Sequence, residues 1–485
     1  MTIEETRRDG RRSTGVVRPD EDQPLGNISS RMREGVGSWL RSPALDFYGL
    51  IVIGALLISV GLVMVLSSTA VLNIAKGNSG YAGLLRQGTF AAMGLVLLVV
   101  AACLPPGFYR KAAWPLFGIG LALQCLVFVP GLGVAVDGNR NWVSIGGQTL
   151  QPSEFLKLAL AVWLGALLST KRPLLHKPGH LLFPLLPGVV LALGLVMAGH
   201  DLGTMMIMAM LVASAVWVSG VPRRWFMAAG VAGALGIVAM TVTSANRMAR
   251  IGNWLHGVCE GDSCYQSDQG LMGLAEGGWW GVGLGESRQK WGRLPAAEDD
   301  YIFAIIGEEL GLIGTLGVLA LFTVLALLMF RMITRIDDHF LQITIAGISA
   351  WLLGQAFVNM MVVTGLLPVI GVPLPFISSG GSALLASMTA LGVLISFARR
   401  EPGAPEAISA RLGSVRRSIS VLPAPRDAAS SSRPRRASRA KGTKRAPGSN
   451  RPKRARGSKR STRRTGRSSA SSSSSASSSS SRRTR

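Results

Sequence analysis

Long apolar segments alternate with short polar ones from about residue 46 to residue 398. A helix needs about 20 apolar residues to cross the hydrocarbon core of a bilayer. The pattern predicts ten membrane-spanning helices, near residues 46–68, 85–104, 112–130, 153–169, 180–197, 202–219, 225–243, 302–330, 340–364 and 377–398. The predicted fold class is therefore an all-α polytopic membrane protein.

Three connections between these segments carry most of the remaining information. They run from Gly131 to Pro152, from Ser244 to Asp300, and from Gly365 to Ser382. The second is a large loop between predicted spans 7 and 8. The third is rich in glycine and proline and has almost no charge, which is typical of re-entrant backbone that protein buries or a cavity wets.

Charge divides the chain into three regions. The 485 residues are 48% hydrophobic, yet the formal net charge is +25, of which +22 lies from Arg399 onwards. We predict a disordered N-terminal arm (1–45), a membrane domain (46–398) and a disordered, basic Ser/Arg-rich tail (399–485), because the tail composition cannot bury an apolar core. We expect the tail to bind anionic lipid headgroups. Nucleic-acid binding is physically possible but less favoured.

Positive charge also predicts the orientation of the chain. Lys and Arg concentrate in the N-terminal arm, in alternate loops and in the tail, and such residues favour the cytoplasmic side. With ten spans both termini are expected in the cytoplasm, and the three informative loops outside it. Cys259 and Cys264 fall in the large outer loop, where a disulfide is permitted, and the sequence leaves their pairing open.

The acidic run in LPAAEDDYIFAIIGEEL, Leu294–Leu310, is the leading candidate for chemistry. Asp300 is the last polar residue before the apolar segment, so we expect its carboxylate to be partly desolvated at the outer interface. Desolvation raises the pKa of a carboxylate and makes it a better general base near neutral pH. The alternative role is a helix N-cap. Glu298 and Asp299 compete for either role.

Further charged residues are candidates for binding substrate or lining a cavity. Glu154 and Lys157 are three residues apart on one helix face, and they form either a self-contained ion pair or part of a polar cavity facing Asp300. Arg288 and Lys290 could receive a phosphorylated lipid headgroup or neutralise nearby acids. Glu308 and its neighbour Glu309 need a polar cavity or a cationic partner, because a charge within the bilayer is costly.

Four segments together resemble the SEDS family of cell-wall glycosyltransferases. They are QPSEFLKLAL (Gln151–Leu160), HDLGT (His200–Thr204), GLGESRQKWGRLPAAEDDYIFAIIGEELG (Gly283–Gly311) and GLLPVIGVPLPFISSGGS (Gly365–Ser382). The third looks more like the FtsW branch than the RodA branch. Two positions depart from the family pattern: Asp299 stands where threonine is common, and Asn141 stands where arginine is usual, beside Arg140.

The resemblance implies a peptidoglycan polymerase that joins lipid II into glycan strands at the outer face of the bacterial cytoplasmic membrane. It implies a class B penicillin-binding protein and division-machinery proteins as partners. It assigns the essential aspartate to Asp300, and the loop serine Ser378 joins the candidate cavity-lining residues. A divalent cation (Mg or Mn) is expected to assist departure of the pyrophosphate, although no ligand set is readable. An elongation-type polymerase, a lipid-linked precursor flippase and a non-enzymatic scaffold remain as alternatives.

Overall fold

The structure is a computed structural model that describes residues 42–136, 139–174, 178–242, 245–256 and 265–409. Predictions for the N-terminal arm up to residue 41, for the tail from residue 410, and for Cys259 and Cys264 lie outside these residues. The described part is predominantly helical, and the fold class expected from the sequence is confirmed.

Twelve longer α-helices follow one another along the described part of the chain. They are α1 Ala44–Ala75, α2 Ala82–Cys103, α3 Pro106–Cys125, α4 Pro152–Thr170, α5 Pro178–Ala198, α6 Leu202–Val218, α7 Arg223–Val242, α8 Ala245–His256, α9 Tyr265–Gly277, α10 Ile302–Arg335, α11 His339–Val363 and α12 Gly381–Ala398. Short 3₁₀ turns occupy Leu126–Phe128 and Arg172–Leu174.

Ten of these helices correspond to the ten predicted apolar segments. Eight of them, namely α1–α4, α7 and α10–α12, are long and apolar enough to cross a membrane, α3 together with its 3₁₀ turn. The apolar helices Phe183–Ala198 and Leu202–Val218 are shorter. The existence of ten apolar helices is therefore confirmed, whereas the crossing of the membrane by all ten stays a prediction.

The bundle has a buried centre and an apolar exterior. Helices α4, α11 and α12 are mostly buried, while α7 faces outward over nearly its whole length. The most extensive helix contacts join α2 with α12, α6 with α11, α4 with both α3 and α11, and α10 with α9. At the crossing of α4 and α11, a Cβ on Gly165 would stand 2.0 Å from Oγ1 of Thr344, so glycine permits that contact.

The loop between α3 and α4 differs from the helical expectation, because it forms a small antiparallel sheet. Its strands are β1 Gly133–Val136, β2 Asn139–Ile145 and β3 Gln148–Leu150, in the order β1-β2-β3. Gly146 and Gly147 connect β2 to β3 with φ angles of 58° and 80°, as a two-residue hairpin with a primed turn requires. The backbone N–H of Arg140 also donates to the carbonyl of Gly199, 2.9 Å away, at the turn between α5 and α6.

Helix α10 is broken near its start at Gly311, where φ is 67° and ψ is −164°. Only glycine adopts such angles readily. The break separates a fully packed segment, Ile302–Glu309, from the long remainder of the helix. It also leaves backbone groups of α10 free to pair with the preceding loop, which therefore lies against the helix instead of extending into solvent.

The end of the bundle opposite the three informative loops carries a cluster of ion pairs. Arg331 Nε contacts Asp46 Oδ1 at 2.8 Å, and Arg335 Nη1 contacts Glu401 Oε1 at 3.0 Å. Glu401 is buried, and residues 404–409 form a short helix. These ion pairs hold the segment directly after α12 onto α1 and α10.

A close approach between α9 and α10 gives a test of this packing. A Cβ on Gly277 would stand 1.9 Å from the carbonyl oxygen of Gly307, so Gly277→Ala is expected to destabilise the protein by about 1–3 kcal/mol through overpacking. Thermal unfolding of the purified protein measures the change. The matched control is Gly317→Ala on α10, where a Cβ would meet no atom within 4 Å. Equal melting temperatures for the two variants would contradict the packing described.

Candidate functional site

The acidic run lies immediately before α10 and does not cap it. Tyr301 occupies the N-cap position, and no side chain provides a capping hydrogen bond there. The N-cap alternative for Asp300 is therefore wrong. The turn that presents the acids is formed locally, since the N–H groups of both Asp299 and Tyr301 donate to the carbonyl of Ala296, which has a positive φ of 50°.

The glycine- and proline-rich loop after α11 holds the backbone of this acidic run. Ser378 Oγ donates to the carbonyl of Asp299 at 2.6 Å, and the N–H of Ser379 donates to the carbonyl of Glu298 at 2.9 Å. Asn359 Nδ2, from α11, donates to the carbonyl of Asp300 at 2.7 Å. The carbonyls of three successive residues thus accept hydrogen bonds from this loop and from α11. The carboxylate side chains take no part in these bonds.

The carboxylate of Asp300 is half-buried against the same loop. A Cβ on Gly371, whose φ is 73°, would lie 3.3 Å from Asp300 Oδ2, so this glycine leaves room for the carboxylate. Burial raises the pKa of Asp300 to about 7, with smaller contributions from the negative charges of Asp299 and Asp201, and Arg250 opposes the shift. A carboxylate of this kind exchanges a proton near neutral pH.

Asp299 has a related but more open environment. Burial raises the pKa of Asp299 to about 6, the negative charge of Glu298 contributes further, and the positive charge of Arg86 opposes the shift. The residue nevertheless retains substantial solvent exposure. Both aspartates therefore combine solvent access with surrounding protein that raises their pKa values.

Glu154 and Lys157 form a buried ion pair beneath the same loop. Their side chains are each 1% exposed, and Lys157 Nζ lies 2.8 Å from Glu154 Oε1. Lys157 also donates to Gln355 Oε1 at 2.7 Å, and Gln355 Nε2 donates to the carbonyl of Pro373 at 2.8 Å. The pair is therefore linked through Gln355 to the loop that positions Asp300. Oε2 of Glu154 has no protein partner.

Asp201 connects the α5–α6 turn with this network. Its carboxylate caps α6 by accepting from the N–H of Thr204 at 2.8 Å, and it also accepts from Gln151 Nε2 at 3.1 Å. Burial raises the pKa of Asp201, while the Thr204 and Gln151 hydrogen bonds and the charge of Lys157 oppose the rise. The residue is a helix cap whose negative charge also reaches Asp300.

Glu308 and Glu309 belong to a second buried cluster, which fixes the loop preceding the acidic run. Glu308 accepts from the hydroxyl of Ser287 and, at 2.6 Å, from the backbone N–H of Arg288. Glu309 accepts from Ser67 Oγ at 2.6 Å and pairs with Lys290 Nζ at 3.1 Å. The cationic partner expected for one of these glutamates is therefore present.

The predicted site residues thus fall into three groups. Ser378 lies against the acidic run that contains Asp300, and Glu154 with Lys157 lies one hydrogen-bonded step further away. Glu308 and Lys290 form the separate buried cluster, and the side chain of Arg288 is exposed beside it. Direct contact of any of these groups with substrate stays a prediction.

Sequence reasoning missed several residues that the structure places near the acids. They are Arg86 at the start of α2, Arg250 on α8, and Gln355 and Asn359 on α11. Polar side chains inside an otherwise apolar span were the available signal for the two amides, which are both almost fully buried. For the arginines there was no local signal, because only the folded bundle brings α2 and α8 beside the loop.

Within the described residues there is no cluster of three or more His, Cys, Asp or Glu side chains that could hold a metal ion. Mg²⁺ is often bound by one or two carboxylates together with substrate phosphates. Asp299 and Glu298 provide such carboxylates at the open side of the site.

Comparison with known proteins shows the family of this chain. Residues 48–402 match the FtsW/RodA/SpoVE family, described as cell cycle proteins. The probable peptidoglycan glycosyltransferase FtsW of Mycobacterium tuberculosis is 37% identical over 81% of this chain and 75% of its own length. Stage V sporulation protein E of Bacillus subtilis is 35% identical over 72% of this chain and 96% of its own.

Solved structures show the same architecture. The Rod shape determining protein RodA of Thermus thermophilus matches with a TM-score of 0.54 and 25% identity, over 73% of this chain and 97% of that protein. A chain from a peptidoglycan synthase complex, described as coordinating polymerisation and crosslinking, matches over the same shares with a TM-score of 0.59 and 25% identity. The bundle therefore has the fold of polytopic membrane proteins such as RodA. The chain belongs to the FtsW/RodA/SpoVE family.

The support that Ser378 gives to the acidic run can be tested with a neighbouring control. Ser378→Ala removes the donor to Asp299 and the acceptor for the N–H of Leu374, which should cost about 1–3 kcal/mol for the buried groups left unpaired and lower the catalytic rate. Ser379 contributes its backbone N–H, so Ser379→Ala should have little effect. Thermal unfolding and enzymatic turnover measure both. Equal behaviour of the two variants would contradict the assigned role.

Proposed function

We propose that this peptidoglycan glycosyltransferase polymerises lipid II at the outer face of the cytoplasmic membrane, with Asp300 as the general base. The glycosyltransferase class follows from the family and from relatives that carry this name. The observation that supports Asp300 is its half-buried carboxylate with a pKa of about 7, presented on a rigid backbone. A base is most effective when its pKa lies near the operating pH.

In the proposed reaction, Asp300 accepts the proton from the 4-hydroxyl of the acceptor sugar. The hydroxyl oxygen attacks the anomeric carbon of the donor and forms the new glycosidic bond. The bond between that carbon and the pyrophosphate oxygen breaks, and undecaprenyl pyrophosphate leaves with the bonding electrons. Asp300 afterwards releases its proton to solvent, which its partial exposure permits.

Cations near the acids are suited to the departing pyrophosphate. Arg86 and Arg250 approach Asp299 and Asp300 from two different helices, and both are solvent-exposed. Guanidinium groups bind phosphate oxygens in a fixed, bidentate geometry. Such groups stabilise charge that develops on the leaving group, and Arg288 is a further exposed candidate.

A divalent cation is a second means of offsetting the pyrophosphate charge. The open carboxylates of Glu298 and Asp299 would hold it together with phosphate oxygens of the substrate, and the ion would supply electrostatic stabilisation of the leaving group. This arrangement leaves Asp300 available to act as the base.

The proposal extends to partners and orientation. A class B penicillin-binding protein is the proposed partner, in line with the synthase complex to which the chain is similar. Because several FtsW proteins are among the relatives, we propose a role in cell division with other division proteins. The arginine-rich end of the bundle, with Arg110, Arg331 and Arg335, is assigned to the cytoplasm by the positive-inside rule, which places Asp300 outside.

Replacing Asp300 with asparagine keeps the size of the side chain and removes the base. Asp300→Asn is expected to reduce formation of glycan polymer from lipid II by at least about 10²-fold, the usual contribution of a general base. The assay uses purified protein with its penicillin-binding partner, and Asp268→Asn, at an exposed aspartate on α9, is the matched control that should retain polymerisation. Full polymerisation by Asp300→Asn would contradict the assignment, and movement of lipid II between leaflets without polymer would indicate a flippase instead.

The pH dependence of polymerisation should report the ionisation of Asp300. Because the base must be deprotonated, the rate is expected to rise with pH through a midpoint near 7. Asp299→Asn removes a negative neighbour and should move the midpoint to lower pH, whereas Arg250→Gln removes a positive neighbour and should move it to higher pH. Shifts in the same direction for both variants would be inconsistent with this electrostatic environment.

A further inference from the structure

The break in α10 allows the loop that follows α9 to pair with the helix backbone. The N–H groups of Val282 and Gly283 donate to the carbonyls of Glu308 and Glu309, at 2.9 and 3.1 Å. Beyond the break, the N–H of Leu312 donates to the carbonyl of Gly278 at 2.9 Å. Residues 278–284 are therefore fixed to the outer part of α10, and we call them the tryptophan ribbon.

The side chains of the tryptophan ribbon are apolar and unusually exposed. Trp279 and Trp280 are 69% and 81% exposed, and Leu284 is 56% exposed. The N–H of Ile313 lies 3.4 Å from the carbonyl of Trp279. Large aromatic side chains exposed to this extent mark a surface that another apolar phase or molecule covers.

The exposed apolar side chains of α10 indicate what covers the tryptophan ribbon. Before the break, the segment Ile302–Glu309 is entirely buried by protein. After the break, exposed apolar side chains continue along the helix from Leu312 to Phe330, directly before Arg331. At a rise of 1.5 Å per residue, this stripe is about 27 Å long, which matches the roughly 30 Å hydrocarbon core of a bilayer.

This length fixes the height of the tryptophan ribbon. With Arg331 at the cytoplasmic boundary of the hydrocarbon core, Leu312 and Ile313 stand at the outer boundary. The ribbon is hydrogen-bonded at that level, where tryptophan is enriched in membrane proteins because its ring is apolar and its N–H is polar.

We propose that the tryptophan ribbon is a membrane-docking surface that inserts Trp279 and Trp280 into the boundary between headgroups and acyl chains of the outer leaflet. The partner is the phospholipid bilayer itself. The ribbon continues into the segment that Ser287 and Lys290 anchor to Glu308 and Glu309, and that segment leads to Asp300. Docking therefore sets the height of the loop before the acidic run relative to lipid-borne substrates.

Spin-label depth measurements in lipid nanodiscs test this proposal. In a variant lacking the four native cysteines, a nitroxide is attached at Val282→Cys, and collision rates with oxygen and with a water-soluble nickel chelate are compared. Labels at Leu316→Cys and Asp268→Cys provide the lipid and aqueous references, since Leu316 belongs to the exposed apolar stripe and Asp268 is an exposed carboxylate on α9. Polymerisation of lipid II by each labelled protein confirms that it is folded.

The ratio of oxygen to nickel accessibility at position 282 is expected to lie close to that at position 316. Adding Trp279→Ser and Trp280→Ser to the labelled protein should shift the ratio towards the aqueous reference. A ratio at position 282 equal to that at position 268 would overturn the proposal. Shielding of the label from both reagents only after the penicillin-binding partner is added would also overturn it, because the surface would then bind protein. A ratio that the two serine substitutions leave unchanged would overturn it as well.

Discussion

The site depends on three hydrogen bonds to the backbone of the acidic run. Asn359, Ser378 and the N–H of Ser379 occupy the carbonyls of Asp300, Asp299 and Glu298. Because the carboxylates take no part in these bonds, their charge is available for chemistry, and because the backbone is fixed, each carboxylate has a defined direction. Burial then raises the pKa of Asp300 into the neutral range. The rest of the bundle supports the loop that makes these contacts.

Two buried ion pairs hold the segments that pack against the acidic run or lead into it. Lys157 and Glu154 support the loop through Gln355, whereas Lys290 and Glu309 hold the segment that enters the acidic run. Breaking a buried pair by removing one partner is strongly destabilising, so each pair holds its segment in one arrangement. The helix break in α10 also frees the carbonyls of Glu308 and Glu309 to accept from the N–H groups of Val282 and Gly283, whereas in an unbroken helix the N–H groups of residues 312 and 313 would occupy them.

Much of this arrangement was predictable from the sequence. The remainder was not, because it depends on contacts between segments that are distant in the chain. Apolar segments predicted ten helices, and the run before Tyr301 located the acids. The sheet between α3 and α4 was missed, although the pair Gly146-Gly147 between two short extended segments was a hairpin signal. The cations Arg86 and Arg250 come to the site from distant helices. Glu308 and Glu309 were expected to face a polar cavity or a cationic partner, and their particular partners, Ser287 and Lys290, belong to a loop that only the folded chain brings against them.

The most direct measurement is an experimental structure of the protein with lipid II or a glycan acceptor analogue bound. The account predicts that a carboxylate oxygen of Asp300 lies about 2.6–3.2 Å from the acceptor 4-hydroxyl, within hydrogen-bonding distance, while the donor pyrophosphate faces arginine side chains. An acceptor hydroxyl bound by another residue, with Asp300 turned towards protein or lipid, would contradict it.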